Sequence, residues 1–257
     1  MCLILFAWKM DDRFPLVVAA NRDEFYERPS APAAFWEEAP GLLAGRDLRE
    51  GGAWLGITRE GRWAALTNYR DPASVRIGAP SRGRLVHDYL LGRERPEDYL
   101  RRIGPIADRF NGFSLLAGDP ESLFCFSNRG DRKRLEPGIH GVSNHLLDTP
   151  WPKVEQGKNG LSTLLKEGGR PLTEGLFALL ADRSRPPDDF LPETGVGLEW
   201  ERVLSPLFIE SPVYGTRSST VLLIDRKGEV TFAERVFDGG RPRTARFTFC
   251  ITGSGGD

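Results

Sequence analysis

Cys2 stands directly behind Met1 and ahead of the apolar run Leu-Ile-Leu-Phe-Ala-Trp. Cysteine at position two is small enough for Met1 to be removed. Removal would put a thiol and a free α-amine on one residue. The α-amine titrates near ~7.7–8.0 and the thiol near ~8.5. Such an amine can take the thiol proton at neutral pH, directly or through a water, so one residue supplies nucleophile and base. By position alone, Cys2 fits a small residue opening a buried strand better, since free cysteines are often buried. The segment Ala19-Ala20-Asn21-Arg22-Asp23-Glu24-Phe25 shifts that balance. A cation near a thiol favours the thiolate, and arginine keeps its charge when partly buried. Arg22 is the expected cation. Asp23 and Glu24 could anchor its guanidinium or bind the α-ammonium.

These residues need a frame to bring them together. Cys2–Trp8 and Phe14–Ala20 are apolar on nearly every residue and are joined by Asp11-Asp12-Arg13. That reads as a hairpin covered on both faces. Antiparallel pairing would return the segment after Ala20 to the neighbourhood of Cys2. Further hairpins are expected at 54–67 and 221–233, with Gly61 and Gly228 in turns that favour a positive φ. Another is expected at 113–127, and a last strand at Arg246–Ile251. Amphipathic or proline-led patterns predict helices at Arg84–Leu91, Pro96–Phe110, Pro152–Lys166 and Pro171–Asp182. Residues Arg183–Gly197 read as a loop or flap. Antiparallel strands with segregated helices indicate an α+β, layered αββα architecture, with residues 1–257 forming one domain.

Several ordered motifs carry a resemblance. Met-Cys-Leu at the start, Ala-Asn-Arg-Asp-Glu-Phe within 19–25, Leu-Thr-Asn-Tyr-Arg at 66–70, Gly-Val-Ser-Asn-His at 141–145 and Gly-Thr-Arg-Ser-Ser-Thr-Val at 215–221 resemble the NRDE family, the relatives of transport and Golgi organisation protein 2. The resemblance runs from residue 1 to about 235. That family is similar in turn to the choloylglycine hydrolase and penicillin V acylase branch of the N-terminal-nucleophile hydrolases. The resemblance implies a four-layer αββα sandwich of antiparallel sheets. It implies that Cys2 is the nucleophile and Arg22 the arginine beside it. In the hydrolase branch a carboxylate follows that arginine after a short gap. Here Asp23 and Glu24 follow directly, so the role stays open between them, with Asp23 carried as the catalytic candidate. Asn144 and Asn68 match the groups lining the oxyanion site, and Arg217 matches a late arginine near the nucleophile. Asn21, Glu24, Tyr69 and His145 are the expected substrate contacts.

Attack on an amide carbonyl creates an oxyanion, and a side-chain N–H aimed at it contributes about 2.7–4 kcal/mol. The expected activity is therefore hydrolysis of a non-peptide amide bond of a small molecule. The resemblance also implies a competing expectation, a carrier that uses the same pocket for haem, or for acyl-CoA or another lipid. An apolar pocket with a thiol and two arginines suits a ligand bearing carboxylates.

Composition narrows the field. Lys plus Arg is 35 against 36 for Asp plus Glu, a formal net charge of -1. The basic excess of phosphate-binding proteins is missing, so nucleic acid is not an expected partner. Three cysteines, widely spaced, argue against a disulfide framework and a zinc site. No metal or cofactor is expected. His140 and His145 flank Asn144 without a third ligand in view, and His87 falls in a helix. The N-terminal apolar run is too short for a signal peptide or membrane span. The sequence reads as cytoplasmic and not inserted in a membrane.

Overall fold

The computed structural model describes residues 2–167 and 172–252, with Cys2 described by its backbone alone. The thiol expected to act as nucleophile, Met1 and Pro171 therefore lie outside the described residues.

Seven strands form in the first two-fifths of the chain or just beyond: β1 Cys2–Trp8, β2 Leu16–Phe25, β3 Ser30–Trp36, β4 Ala39–Asp47, β5 Leu55–Thr58, β6 Trp63–Asn68 and β7 Phe113–Gly118. Helices α1 Gly83–Leu91 and α2 Pro96–Ile103 are inserted before β7. Three strands follow: β8 Leu123–Ser127, β9 Arg132–Arg134 and β10 Gly138–Val142. Helices α3 Pro152–Glu167, α4 Leu172–Leu180 and α5 Leu198–Leu204 come next, and β11 Tyr214–Ile224, β12 Glu229–Val236 and β13 Arg243–Cys250 close the chain. The described strands make two antiparallel sheets, ordered β10-β1-β2-β11-β12-β13 and β3-β4-β5-β6-β7-β8-β9.

The period-two alternation of strands builds the layers. In β1 and β2, Ile4, Phe6, Val18 and Ala20 enter the core between the sheets, where they meet Leu43, Ile57, Trp63 and Leu116. The intervening residues Leu5, Val17 and Ala19 pack outward on Val154 and Leu161 of α3 and Leu176 and Phe177 of α4. The second sheet does the same on its outer side, with Leu42, Ala64 and Leu115 against Val86 and Tyr89 of α1 and Tyr99 and Leu100 of α2. The result is the four-layer αββα sandwich. Both opening strands are buried on both faces, as their unbroken apolar runs imply.

The expected hairpins form, with φ of 80° at Gly61 and 76° at Gly228. Four differences from the sequence reading matter. First, β2 does not end at Ala20 but runs to Phe25, so Asn21-Arg22-Asp23-Glu24 lies within the strand rather than after it. Its partners on both sides, β1 and β11, give these polar residues a full ladder. Second, β3 and β4 form a hairpin in a stretch with no clear strand signal. Pro32 is tolerated because β3 is an edge strand with a register shift between Ala31 and Ala34. Third, the helix expected over 96–110 tightens after Ile103 into a 3-10 turn over Gly104–Arg109. Fourth, the loop at 183–197 carries a short 3-10 turn and leads into α5, which lacks a clear sequence signal.

Candidate active site

Strand register assembles the site. Cys2 pairs with Arg22 across β1 and β2, and Arg22 pairs with Ser218 across β2 and β11. On the other side β1 pairs with β10, whose last partner is Val142 opposite Ile4, so Asn144 follows two residues beyond that pair. Asn68 arrives from the second sheet as the last residue of β6. Four of the sequence candidates thus converge on one end of the sandwich.

Arg22 continues the inward-facing series of Val18 and Ala20, and only 6% of it is exposed. Its guanidinium lies 4.3 Å from the Trp54 ring centroid, donates to Ser30 Oγ at 3.4 Å and stands 3.7 Å from Asp47 Oδ2. None of these is a tight bidentate pair, so donor capacity remains toward the site. Trp54 in turn lies on Gly45 of β4, where a Cβ would overlap its ring. Asp47 also accepts from Arg28 Nε at 2.6 Å and from the N–H groups of Arg49 and Glu50. Burial pushes its carboxyl up, but these donors outweigh it and hold the pKa below the usual value. Behind Arg22, Glu234 is almost fully buried and accepts from the Ala33 N–H at 2.6 Å. Burial raises its pKa, opposed by the Ala33 N–H, the Ser218 hydroxyl and the Arg22 charge.

Asp23 faces the other way, under α3. Its Oδ1 accepts from Thr216 Oγ1 at 2.7 Å. Burial raises its pKa, and the nearby Lys153 charge is the largest opposing influence. Lys153, itself buried, donates to the Leu204 carbonyl at 2.9 Å. Asn21 shares this outward face. Its amide donates to the Leu180 and Leu207 carbonyls and accepts from Ser219 Oγ at 2.6 Å. That places Asn21 as a staple between β2 and the segments after α4 and α5.

The two asparagines are linked. Asn144 is fully buried and donates through Nδ2 to the Asn68 carbonyl at 3.0 Å. Its Oδ1 accepts from Arg70 at 3.4 Å, and its carbonyl accepts from the Arg70 N–H at 2.7 Å. Arg70 forms a buried ion pair with Glu201 Oε2 at 2.5 Å and lies over Trp151. Burial lowers the Arg70 pKa, with Glu201 opposing. The other Glu201 oxygen accepts from Thr194 through its N–H and its hydroxyl. A continuous polar chain therefore runs from the 183–197 segment through Glu201, Arg70 and Asn144 to the Asn68 backbone. The Asn68 side chain makes no hydrogen bond to the described residues and borders a cavity of about 240 Å³. Arg22, Asp23, Glu24, Trp54 and Arg82 share that lining.

The remaining candidates sit around this centre rather than in it. Arg217 occupies a register shift between Thr216 and Ser218. Its guanidinium donates to the carbonyls of Phe25, Tyr26 and Arg28, holding the β2–β3 turn. Tyr69 and His145 bond each other at 2.6 Å, and His145 Nδ1 lies 2.8 Å from Thr149 Oγ1. Since Thr149 donates to the Leu146 carbonyl, it accepts from His145, which assigns the proton to Nδ1 and makes Tyr69 the donor to Nε2. Glu24 reaches the cavity, with its Oε1 accepting from the Phe25 N–H.

Sequence reasoning did not single out Asp47, Trp54, Arg70, Lys153, Glu201 or Glu234. Arg70 closes the Leu-Thr-Asn-Tyr-Arg motif, so its proximity to Asn68 was visible. The others come from distant segments with no local pattern. Among the described residues no group of three or more His, Cys, Asp or Glu could hold a metal ion. No helix among them is long and apolar enough to cross a membrane.

The family model described as Transport and Golgi organisation 2 matches residues 1–239. The chain belongs to this family. It is 37% identical to the Transport and Golgi organization protein 2 homolog of Bos taurus, over 94% of this chain and 95% of that one. With the homolog of Homo sapiens it shares 36% identity, over 91% and 92%. Among solved structures it is similar to the C2A mutant of a conjugated bile acid hydrolase from Clostridium perfringens, with a TM-score of 0.52 and 9% identity over 97% of this chain and 96% of that one. The fold is that of the N-terminal-nucleophile hydrolases.

Proposed function

We propose that this member of the family is a cytoplasmic amide hydrolase whose nucleophile is Cys2 after removal of Met1. The observation that carries the reading is the pairing of Cys2 with Arg22 beside a cavity into which Asn68 offers an uncommitted amide. A solved structure of the same fold belongs to a hydrolase, a conjugated bile acid hydrolase.

In this reading the α-amine of Cys2 takes the thiol proton. The sulfur attacks the carbonyl carbon of the bound amide. Electrons move to the carbonyl oxygen, where the Asn68 N–H groups and the Arg22 charge stabilise the oxyanion. Collapse of the intermediate breaks the C–N bond, and the α-ammonium protonates the departing amine. Water then attacks the thioester, the carboxylic acid leaves and the thiol is restored. Asn144 holds Asn68 through its backbone carbonyl, and Asp23 with Lys153 sets the charge balance under the site. Tyr69, His145 and Arg217 brace the surrounding loops, and Glu24 meets the substrate at the cavity wall. Intact mass before and after exposure to activated acyl compounds tests this. One acyl adduct on Cys2 of the processed chain supports it, whereas full activity with Met1 retained removes it.

The arginines at the cavity favour a second reading, a carrier for the carboxylates of haem or the phosphates of acyl-CoA. Titration with haemin and with an acyl-CoA separates it from the first. Saturable binding lost in Arg22→Met supports the carrier, and no saturable change with either ligand removes it.

A further inference from the structure

We infer that the cavity beside Arg22 and Asn68 selects a small zwitterionic amide, one with an ammonium and a carboxylate of its own, rather than a long-chain acyl amide or a sterol conjugate. The inference names the substrate class of the proposed hydrolase and rests on that reading for the bond that is cleaved.

Size is the first argument. A volume of about 240 Å³ is below the roughly 300–1,000 Å³ typical of drug-sized pockets. That is the scale of a small polar metabolite rather than of a long acyl chain or a sterol. The second argument is charge. Ligand pockets are ordinarily lined mainly by apolar and aromatic side chains. Among the described residues most of the lining is charged or amide-bearing, and Trp54 and Leu66 are the only large apolar side chains in it. An apolar chain laid against these groups would strip their water and return no hydrogen bonds.

The charges are also sorted by origin. The end of β2 and the segment after β4 bring Glu24, Asp47 and Glu50 to the cavity together with Arg22 and Arg28. Arg28 is spent on Asp47 at 2.6 Å, and Arg22 leans on the same carboxylate. Glu24 stands farther from Arg28, at 4.0 Å from its Nε, and Asp23 accepts from Thr216 Oγ1, so Glu24 and Glu50 are the more available carboxylates for a ligand. The opposite wall comes from the segment entering α1 and from the end of β6. It supplies Arg82 and Asn68, and Arg82 is held at the wall by its bond to the Gly112 carbonyl at 3.0 Å. A ligand ammonium is matched by Glu24 and Glu50, and a ligand carboxylate by Arg82 in the geometry arginine offers carboxylates. The ligand's amide, carried on a side chain as in L-glutamine, would then reach toward Asn68.

The test is calorimetric titration of the full chain carrying Cys2→Ala, which keeps a small residue behind Met1 and prevents cleavage. The probes are L-glutamine, its Nα-acetyl derivative, N-palmitoylethanolamine and glycocholate. Expected are saturable binding of L-glutamine, at least tenfold weaker binding once its ammonium is acetylated, and a similar loss in Glu24→Gln/Glu50→Gln. No saturable binding of L-glutamine, or displacement of it by either apolar probe, overturns the inference. Turnover by the processed wild-type chain is measured separately. Binding without turnover of L-glutamine or any γ-glutamyl amide would remove the hydrolase reading and leave the recognition class standing.

Discussion

Replacing Glu201 with glutamine is expected to destabilise the protein sharply, although the residue lies on a short helix with no obvious sequence signal. Glu201 and Arg70 are both almost fully buried and meet at 2.5 Å. Burial lowers the Arg70 pKa, yet guanidinium stays protonated at neutral pH. Glu201→Gln therefore leaves a buried cation facing a neutral amide. Removing one partner of a buried pair costs about 3–5 kcal/mol. Glutamine still offers an oxygen to Thr194 or Arg70, so the lower end applies. Unfolding entropy of about 2.1 cal/mol/K per residue gives ~0.5 kcal/mol/K for a chain of this length, or roughly 2 °C per kcal/mol. The expected fall in Tm is about 6 °C, read by calorimetry at pH 7.5. The double variant Arg70→Met/Glu201→Gln removes the stranded charge and should recover at least half of the loss, because neighbours in one network are not additive. A Tm within 1 °C of the parent for Glu201→Gln, or a double variant worse than the single, would refute the account of this network.

Three other outcomes follow from the same geometry. Gly45→Ala places a methyl where the Trp54 ring lies, which displaces the platform under Arg22, so alkylation of Cys2 should slow severalfold in timed peptide mapping; an unchanged rate would uncouple Trp54 from the site. Burial pushes the Cys125 thiol up to about 12, which leaves about one thiolate in 10⁵ at pH 7, so iodoacetamide should modify exposed Cys250 and spare Cys125 until the protein unfolds. Burial lowers the His145 pKa, so the unfolded chain binds the extra proton first as pH falls below ~6.5. Stability is then complete above that value and declines on acidification, and His145→Asn should flatten the fall in Tm between pH 7 and 5.5.

Much of the frame could be read before any coordinates. The double-sided burial of β1 and β2 is written in runs such as Leu3-Ile4-Leu5-Phe6, and the turns at Gly61 and Gly228 announce their hairpins. The convergence of Cys2 with Arg22 follows from antiparallel pairing alone. Other features could not be read because their cause is tertiary. Asn21-Arg22-Asp23-Glu24 has the composition of a turn, and only its two neighbouring strands and the buried partners Ser219 and Thr216 keep it extended. The β3–β4 hairpin hides behind Pro32, Pro40 and Gly41 because edge position, not propensity, permits it. Glu201, Lys153 and Glu234 carry no local mark, since their burial is decided by partners 50 or more residues away in sequence. The motif asparagines were recognisable, but their division of labour was not. One of them, Asn144, is locked onto the backbone of the other, while the side chain of Asn68 makes no hydrogen bond to the described residues and borders the cavity.

The central claim is that the residue at the start of β1 performs covalent chemistry. Intact-protein mass spectrometry during a single turnover, quenched in acid and followed by peptide mapping, reads this directly. The account predicts a chain lacking Met1 that transiently gains the mass of one acyl group, located on Cys2 and absent from Cys2→Ala. Turnover by Cys2→Ala, or by a chain that keeps Met1, would contradict it.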